Sequence, residues 1–329
     1  MKVLIAGGAG YIGSTIASSC LDAGITPIIL DNLVTGRREF TAGRTFYQGD
    51  IGDPAIVAQI FAEHPDISAA LHCAALIVVP DSVSQPVHYY QENVAKTLTF
   101  AQSLIDNGCQ RLIFSSSAAL YEPGEDFSVD EDSAIVPLSP YARTKAYAEG
   151  MLADIAAATD LRVLSLRYFN PIGADPRLRT GLQVPVPSHV LGKIIEAHQA
   201  GTAFGITGDD YPTRDGSGIR DYIHVWDLAL AHLAALERFD TAVPTGSNVI
   251  NLGTGAGTTV HELVAAFEQV VGAKVPTVIS PRRPGDNAGA YTRSQRAGSL
   301  LGWKPELSIA DGIRDSLAWS AKRASVLGV

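Results

Sequence analysis

The chain has 329 residues, 46% hydrophobic and 18% charged, enough to bury a sizeable core in one large domain or two closely joined ones. A net charge of -9 with scattered basic residues gives no electrostatic footprint for nucleic acid or an anionic membrane surface. Cys20, Cys73 and Cys109 are odd in number and show no CxxC or zinc-like spacing, so free thiols, no metal site and a reducing, cytoplasmic location are expected.

The first expected element is a strand at KVLIA. Glycines break this apolar run at once and no small-residue cleavage pattern follows, so it reads as a strand and not as a secretion signal. "GGAGYIG" then opens a helix, with Gly7, Gly10 and Gly13 at three-residue spacing and Gly8 completing a GxGxxG form. Glycine suits a tight turn and lets a pyrophosphate approach the helix N-terminus, where free N–H groups and the helix dipole favour an anion.

The second strand, TPIIL, leads to Asp31, placed to accept from an adenosine ribose 2′-OH and to repel a 2′-phosphate. Together, turn and acid favour NAD. Arg37 and Arg38, a few residues on, argue for NADP instead, and a turn that only packs helix on strand is the bland alternative. TFYQG precedes Asp50 and Ile51, which could flank an adenine. The longest apolar run, Ile67 to Val79, contains His72 and stops at Pro80, too short for a membrane span and suited to a buried strand with its exit loop. With RLIFSS and RVLSLRY, these short runs alternate with helix-length segments, which predicts an α/β fold: a doubly wound parallel Rossmann-type sheet.

"LIFSSSAALY" carries Ser115, Ser116 and Ser117 at the carboxyl end of a strand, where open α/β sheets bind ligands. In "SPYARTKAYAEG", Tyr141 and Lys145 lie four apart and share a helix face. A phenol is a poor base at neutral pH, but a nearby ammonium and a positive nicotinamide favour its phenolate. Serine, tyrosine and lysine can therefore move a proton while NAD moves a hydride.

After about Asn170 the chain turns to long Pro-, Gly- and Asp-rich loops, which predicts a smaller substrate lobe. The expected division is a dinucleotide-binding domain over 1–170 and a lobe over 171–329, with late strands such as NVINLG returning to the main sheet. His72 and His224 have no partners in a Ser/His/Asp or metal pattern and read as structural.

The glycine turn, serine strand and Tyr-x-x-x-Lys together resemble the extended short-chain dehydrogenase/reductase superfamily. "RYFNPIGA" at 167–174, "GDDYPTRDGSGIRDYIHVWDLA" at 208–229 and "PRRPGD" at 281–286 resemble, more narrowly, the UDP-glucose 4-epimerases. The resemblance runs from Met1 to about Trp319.

It implies Tyr141 as base, Lys145 on the nicotinamide ribose, and Ser117 on the sugar 4-hydroxyl. It implies NAD contacts at Gly7, Gly10, Tyr11, Ile12, Gly13, Asp31, Asn32, Asp50, Ile51, Cys73, Ala74, Ala75, Asn93 and Phe169. For the UDP-sugar it points to Asn170, His189, Thr207, Arg220, Arg283, Asp286 and Ala290. The implied reaction is 4-epimerisation of a UDP-hexose through a 4-keto sugar, and the helical segments at 88–106 and 141–159 would form a homodimer interface.

This chain departs from the pattern at Ile77, Ala119, Glu122, Gly192 and Thr207. Ala290 falls where a bulky tyrosine is associated with rejecting N-acetyl sugars, so UDP-N-acetylhexosamines are expected to fit; a slip of one residue would put Tyr291 there and reverse this. Two other functions compete. A nucleotide-sugar dehydratase, decarboxylase or reductase would change product mass, and the Thr-Asp-Glu expected of a dehydratase is absent from SSSAALY. A non-catalytic NAD-binding regulator would bind without turnover.

Overall fold

The structure is a computed structural model that describes residues 1–282 and 287–328. Its strands are β1 (Lys2–Ala6), β2 (Thr26–Asp31), β3 (Thr45–Gln48), β4 (Ile67–His72), β5 (Arg111–Ser117), β6 (Ser128–Val129), β7 (Arg162–Tyr168), β8 (Asn170–Ile172), β9 (Phe204–Thr207), β10 (Ile219–His224), β11 (Ser247–Leu252), β12 (Gly257–Thr259), β13 (Thr277–Ser280) and β14 (Tyr291–Thr292). Its helices are α1 (Tyr11–Asp22), α2 (Pro54–Glu63), α3 (Val79–Ser84), α4 (Pro86–Tyr90), α5 (Lys96–Asp106), α6 (Pro140–Ala158), α7 (Val190–Ala200), α8 (Val225–Glu237), α9 (Phe239–Ala242), α10 (Val260–Val271) and α11 (Ile309–Leu327).

Seven parallel strands form the main sheet in the order β11-β7-β5-β4-β1-β2-β3. Each of the six apolar runs predicted in the first half is one of these strands. The inner ones read as nearly unbroken apolar stretches because both faces of the sheet are covered there, while the edge strand β3, TFYQ, is partly exposed. Alternation then sorts the side chains: Val3, Ile5, Ile29, Leu71, Ile113, Leu164 and Leu166 pack with residues of α1 and α8. Leu4, Ala6, Ile28, Leu30, Leu112 and Phe114 face the opposite layer, with residues of α2, α5 and α6. Burying each such aliphatic side chain contributes about 1.5–3 kcal/mol.

The order of the strands reverses at β1, which has β2 on one side and β4 on the other. That switch point opens a crevice at the carboxyl ends of the strands, where a ligand can enter. Ser139 and Pro140 fix the start of α6: the Ser139 side chain accepts from the Ala142 amide at 3.1 Å, and proline supplies a preset φ at the first helical position.

The smaller lobe has its own core, in which Leu191, Ile194, Phe204, Ile206, Leu263, Phe267 and Ile313 meet. Around it lie the β12-β10-β8 sheet and the β13-β9 pair. A simple cut near residue 170 does not describe the chain. β11 is an edge strand of the main sheet, as expected for NVINLG, and α8 also returns, packing on α1. Among the described residues no helix is long and apolar enough to cross a membrane, and no group of three or more His, Cys, Asp or Glu is placed to hold a metal. Cys20 and Cys109 are buried free thiols, and Cys73 is half-buried and free.

Leu164 is fully buried at the centre of the larger core. Leu164→Ala is expected to lower unfolding stability by about 2–5 kcal/mol, measured by urea denaturation.

Candidate active site

The glycine turn is shaped by what lies beside it. Gly7 has φ +78°, and a Cβ there would sit 2.5 Å from the Ala74 amide nitrogen, so any side chain would strike the exit of β4. A Cβ at Gly13 would lie 2.3 Å from the Gly7 carbonyl oxygen, which fixes how closely α1 can pack on the turn. Gly10 is the N-cap of α1 and provides no side-chain cap, so the first amides of the helix remain available to an anion.

An open cleft is lined by Gly7, Gly10, Asp31, Asn32, Asp50, Ile51, Cys73, Ala74 and Ala75, all of them predicted cofactor positions. Asp31 Oδ2 accepts from the Ala9 amide at 2.9 Å and Oδ1 from the Leu33 amide at 2.8 Å. Burial raises its carboxyl pKa and these two bonds oppose the rise. Lone pairs remain on both oxygens for a ribose hydroxyl. Burial also pushes Asp50 up, but hydrogen bonds from Lys96, Gly52 and Asn32 outweigh it and hold the group below its ordinary range.

Several other predicted positions act less directly. Tyr11 spends its hydroxyl on the Gly173 carbonyl at 2.7 Å, and Ile12 packs on the core, so their backbone amides are what they offer a pyrophosphate. Asn93 is buried and braces the cleft wall: its Oδ1 accepts from the Leu76 amide and its Nδ2 donates to the Leu76 carbonyl. Arg38 turns away, its guanidinium 5.5 Å from the Phe46 ring centroid. Leu76, Glu92 and Lys96 also line the cleft. Their side-chain types carry no nucleotide signature, so the sequence offered no way to single them out.

Ser117 ends β5, while Tyr141 and Lys145 lie on the first turns of α6. Tyr141 is half-buried; burial raises its phenol pKa and a hydrogen bond with Ser117 lowers it. Lys145 Nζ donates to the Ser115 carbonyl at 2.8 Å and sits 4.8 Å from the Phe114 ring centroid. Burial brings the Lys145 ammonium down to about 8, opposed by the charges of Cys73 and Glu149. The expectation that Lys145 would pull the tyrosine pKa down is not what the chain alone achieves, because burial dominates at Tyr141. Tyr168, paired with Ser117 across β5 and β7, hydrogen-bonds with Ser115, and Ser115 Oγ donates to Cys73 Sγ at 3.2 Å. Neither Tyr168 nor the bonding of Ser115 carries a signal in the sequence, because both depend on contacts between neighbouring strands.

In the smaller lobe, Asn170 pairs with Tyr222 across β8 and β10, two residues from Arg220. Arg220 donates to the carbonyls of Ile219 at 2.8 Å and Ala288 at 2.7 Å. His189 caps α7, its Nδ1 accepting from the Gly192 amide at 3.2 Å, and burial lowers its pKa to about 4. The unusual Gly192 is thereby accounted for: a Cβ there would lie 2.4 Å from Pro187 Cβ. Thr207 ends β9. Arg283 and Asp286 lie outside the described residues.

Ala290 packs against the cluster of Ala118, Leu120, Tyr121 and Val129, which follows the serine strand and which Phe169 also joins. Tyr291 faces elsewhere, its Cδ1 so near Gly257 that a Cβ there would be 2.4 Å away. His72 is buried against Thr97 and two phenylalanine rings, and His224 caps α8 and meets Asp315, both in structural settings.

The family model described as "NAD dependent epimerase/dehydratase family" matches residues 3–253. The chain belongs to that family. A UDP-glucose 4-epimerase of Azospirillum brasilense is 40% identical over 330 residues, spanning 99% of this chain and 94% of its own length. A UDP-glucose-4-epimerase structure from Stenotrophomonas maltophila, with bound NAD and formylated UDP-arabinopyranose, superposes with a TM-score of 0.93 at 38% identity, covering 99% of each chain. The UDP-Glc/GlcNAc 4-epimerase of Campylobacter jejuni aligns with a TM-score of 0.82 at 33% identity, covering 98% of this chain and 99% of its own.

The glycine cradle, the uncapped α1 and the Asp31 carboxylate fit the NAD that this family uses. Gly7→Ala imposes strain of about 1–2 kcal/mol at positive φ besides the clash with Ala74. It is expected to weaken NAD binding about tenfold or more, measured by calorimetry.

Proposed function

We propose that the protein interconverts UDP-hexoses at C4 with NAD bound, using Tyr141 as base, Ser117 as the hydroxyl beside sugar O4, and Lys145 as the cation on the nicotinamide ribose. The observation that carries this reading is the convergence of the three side chains from β5 and α6 at the carboxyl end of the sheet that bears the glycine cleft. When bound, NAD accepts and returns a hydride at the sugar C4 and brings a positive ring that favours a phenolate.

The chain's own residues handle the proton. Tyr141, hydrogen-bonded with Ser117, takes the O4 proton and later gives it back. Burial alone keeps the phenol protonated, so the site needs cationic charge near it. Lys145 supplies part of this from the same helix face. Because the 4-keto sugar must turn over and receive the hydride on its other face, the pocket has to hold the UDP end while freeing the hexose. Asn170, His189, Thr207 and Arg220, with Arg283 and Asp286, take the UDP role; the planar fork of Arg220 suits a diphosphate.

At the sugar, the small side chain of Ala290 leaves room for a C2 N-acetyl group. Its packing on the cluster that follows the serine strand, with Tyr291 turned toward Gly257, favours Ala290 over Tyr291 as the gate. The working unit is a homodimer in the cytoplasm. Val83, Val87, Leu98 and Tyr147 expose apolar surface on α3, α4, α5 and α6, and the Tyr90 and Tyr147 rings lie 6.0 Å apart on that side.

Tyr141→Phe is expected to cut conversion of UDP-galactose to UDP-glucose by about a hundredfold or more while NAD affinity holds, followed by NMR of the anomeric protons. Undiminished turnover would refute the assigned base. Ala290→Tyr is expected to reduce turnover of UDP-N-acetylgalactosamine by about a hundredfold relative to UDP-galactose; equal losses on the two sugars would remove Ala290 from the gate.

A further inference from the structure

Behind the tyrosine and lysine, α6 carries a third residue on the same face. Glu149 lies one turn beyond Lys145 and two beyond Tyr141, so 141, 145 and 149 form one stripe. Its carboxylate is held from two strands. The middle serine of the triplet, Ser116 on β5, donates its hydroxyl to Glu149 Oε1. Arg167 on β7 donates through Nε to both oxygens, at 2.9 and 3.1 Å, and through Nη2 to Oε2. The Glu149 and Arg167 side chains are only 9% and 4% exposed, so this is a buried ion pair.

Arg167 is fixed in turn. Its Nη1 donates to the Tyr121 hydroxyl at 2.7 Å, and Tyr121 donates to Asn251 Oδ1 on β11 at 2.7 Å. A buried ion pair of this kind is weak evidence of added stability, because desolvation offsets most of the attraction. What distinguishes it is its neighbour.

Lys145 carries its charge in a buried place. Facing it are His72 and Cys73 at the end of β4, Phe114 and the Ser115 carbonyl on β5, and, on its own helix, Glu149. His72 stays neutral, because burial lowers its pKa to about 3, and burial pushes the Cys73 thiol up to about 11. Glu149 is therefore the carboxylate that opposes the loss of the Lys145 proton.

We propose that Glu149 is a positioning residue of the active site: clamped by Ser116 and Arg167, it locks the tyrosine–lysine face of α6 to the serine strand and keeps Lys145 an ammonium. This rests on the epimerase reading above and assigns a task to a residue that touches neither substrate nor cofactor in that reading. The sign of its effect follows directly. A lysine whose proton is needed loses activity as pH rises through its pKa, so removing the negative charge beside it must move that loss to lower pH.

The test is the pH dependence of kcat for UDP-galactose epimerisation in the wild-type protein, in Glu149→Gln, and in the double variant Glu149→Gln/Arg167→Met. The double variant strands no buried guanidinium, and neutral replacement of a buried pair is commonly tolerated. In wild type the alkaline limb is expected; in Glu149→Gln, which leaves the Arg167 charge uncompensated, it should move down by about one pH unit, and in the double variant, which removes both charges of the pair, it should move down by less, with KM for the UDP-sugar little changed. Glu149→Asp, which keeps the charge, should restore the limb toward its wild-type position.

A uniform drop in kcat with an unmoved limb would make Glu149 merely structural and overturn the proposal, as would a double variant that does not fold. Wild-type protein that binds NAD but does not epimerise would instead overturn the reading on which the proposal rests.

Discussion

The ammonium of Lys145 sits where water has been largely removed. Burial works against that charge, and the chain answers with the Ser115 carbonyl at 2.8 Å, the face of the Phe114 ring, and the carboxylate of Glu149 one helical turn away. Those partners belong to β5 and α6, so holding the cation also fixes how the helix lies on the strand. The same helix and strand bring Tyr141 into hydrogen-bonding reach of Ser117. Placing α6 in turn depends on the Ser139 cap and Pro140, which begin the helix one residue before the tyrosine. The chemistry of the site is thus built into the packing of one helix on one strand.

The cofactor side depends on a second constraint, closeness of backbone. Gly7, Gly13 and the Cys73–Ala74 exit of β4 approach one another until no Cβ fits between them. This brings the start of α1 to the switch point of the sheet, a short way along the strand ends from the lysine. In the cleft wall Asp50 is held by Lys96 and by the amide of Asn32, and Asp31 lines the same cleft.

Much of this was legible in the sequence because parallel strands buried on both faces are apolar throughout, and because glycine, serine, tyrosine and lysine occur at spacings that follow from turn and helix geometry. Glu149 continues the four-residue spacing of Tyr141 and Lys145 and was open to the same reasoning, but a carboxylate on a helix reads as solvent-facing until Arg167, eighteen positions away on a strand, is seen to meet it. The return of α8 onto α1 was hidden for a similar reason: an apolar helix does not say which sheet face it covers. In the smaller lobe, Asn170 and Arg220 lie on strands too short to show a clear period and His189 caps α7, so Asn170 and His189 are reached through resemblance, and Arg220 through resemblance and the fit of its planar fork to a diphosphate. The one-residue ambiguity between Ala290 and Tyr291 needed coordinates, which put the two side chains in different surroundings.

The central claim is that hydride leaves and returns to one carbon within a closed site, with Tyr141 moving only the proton. The most direct measurement uses UDP-galactose carrying deuterium at C4, incubated with the protein and NAD in ordinary water and followed by NMR. Retention of deuterium at C4 of the UDP-glucose formed is the predicted result. Its replacement by hydrogen from solvent, or a product of altered mass, would contradict the account.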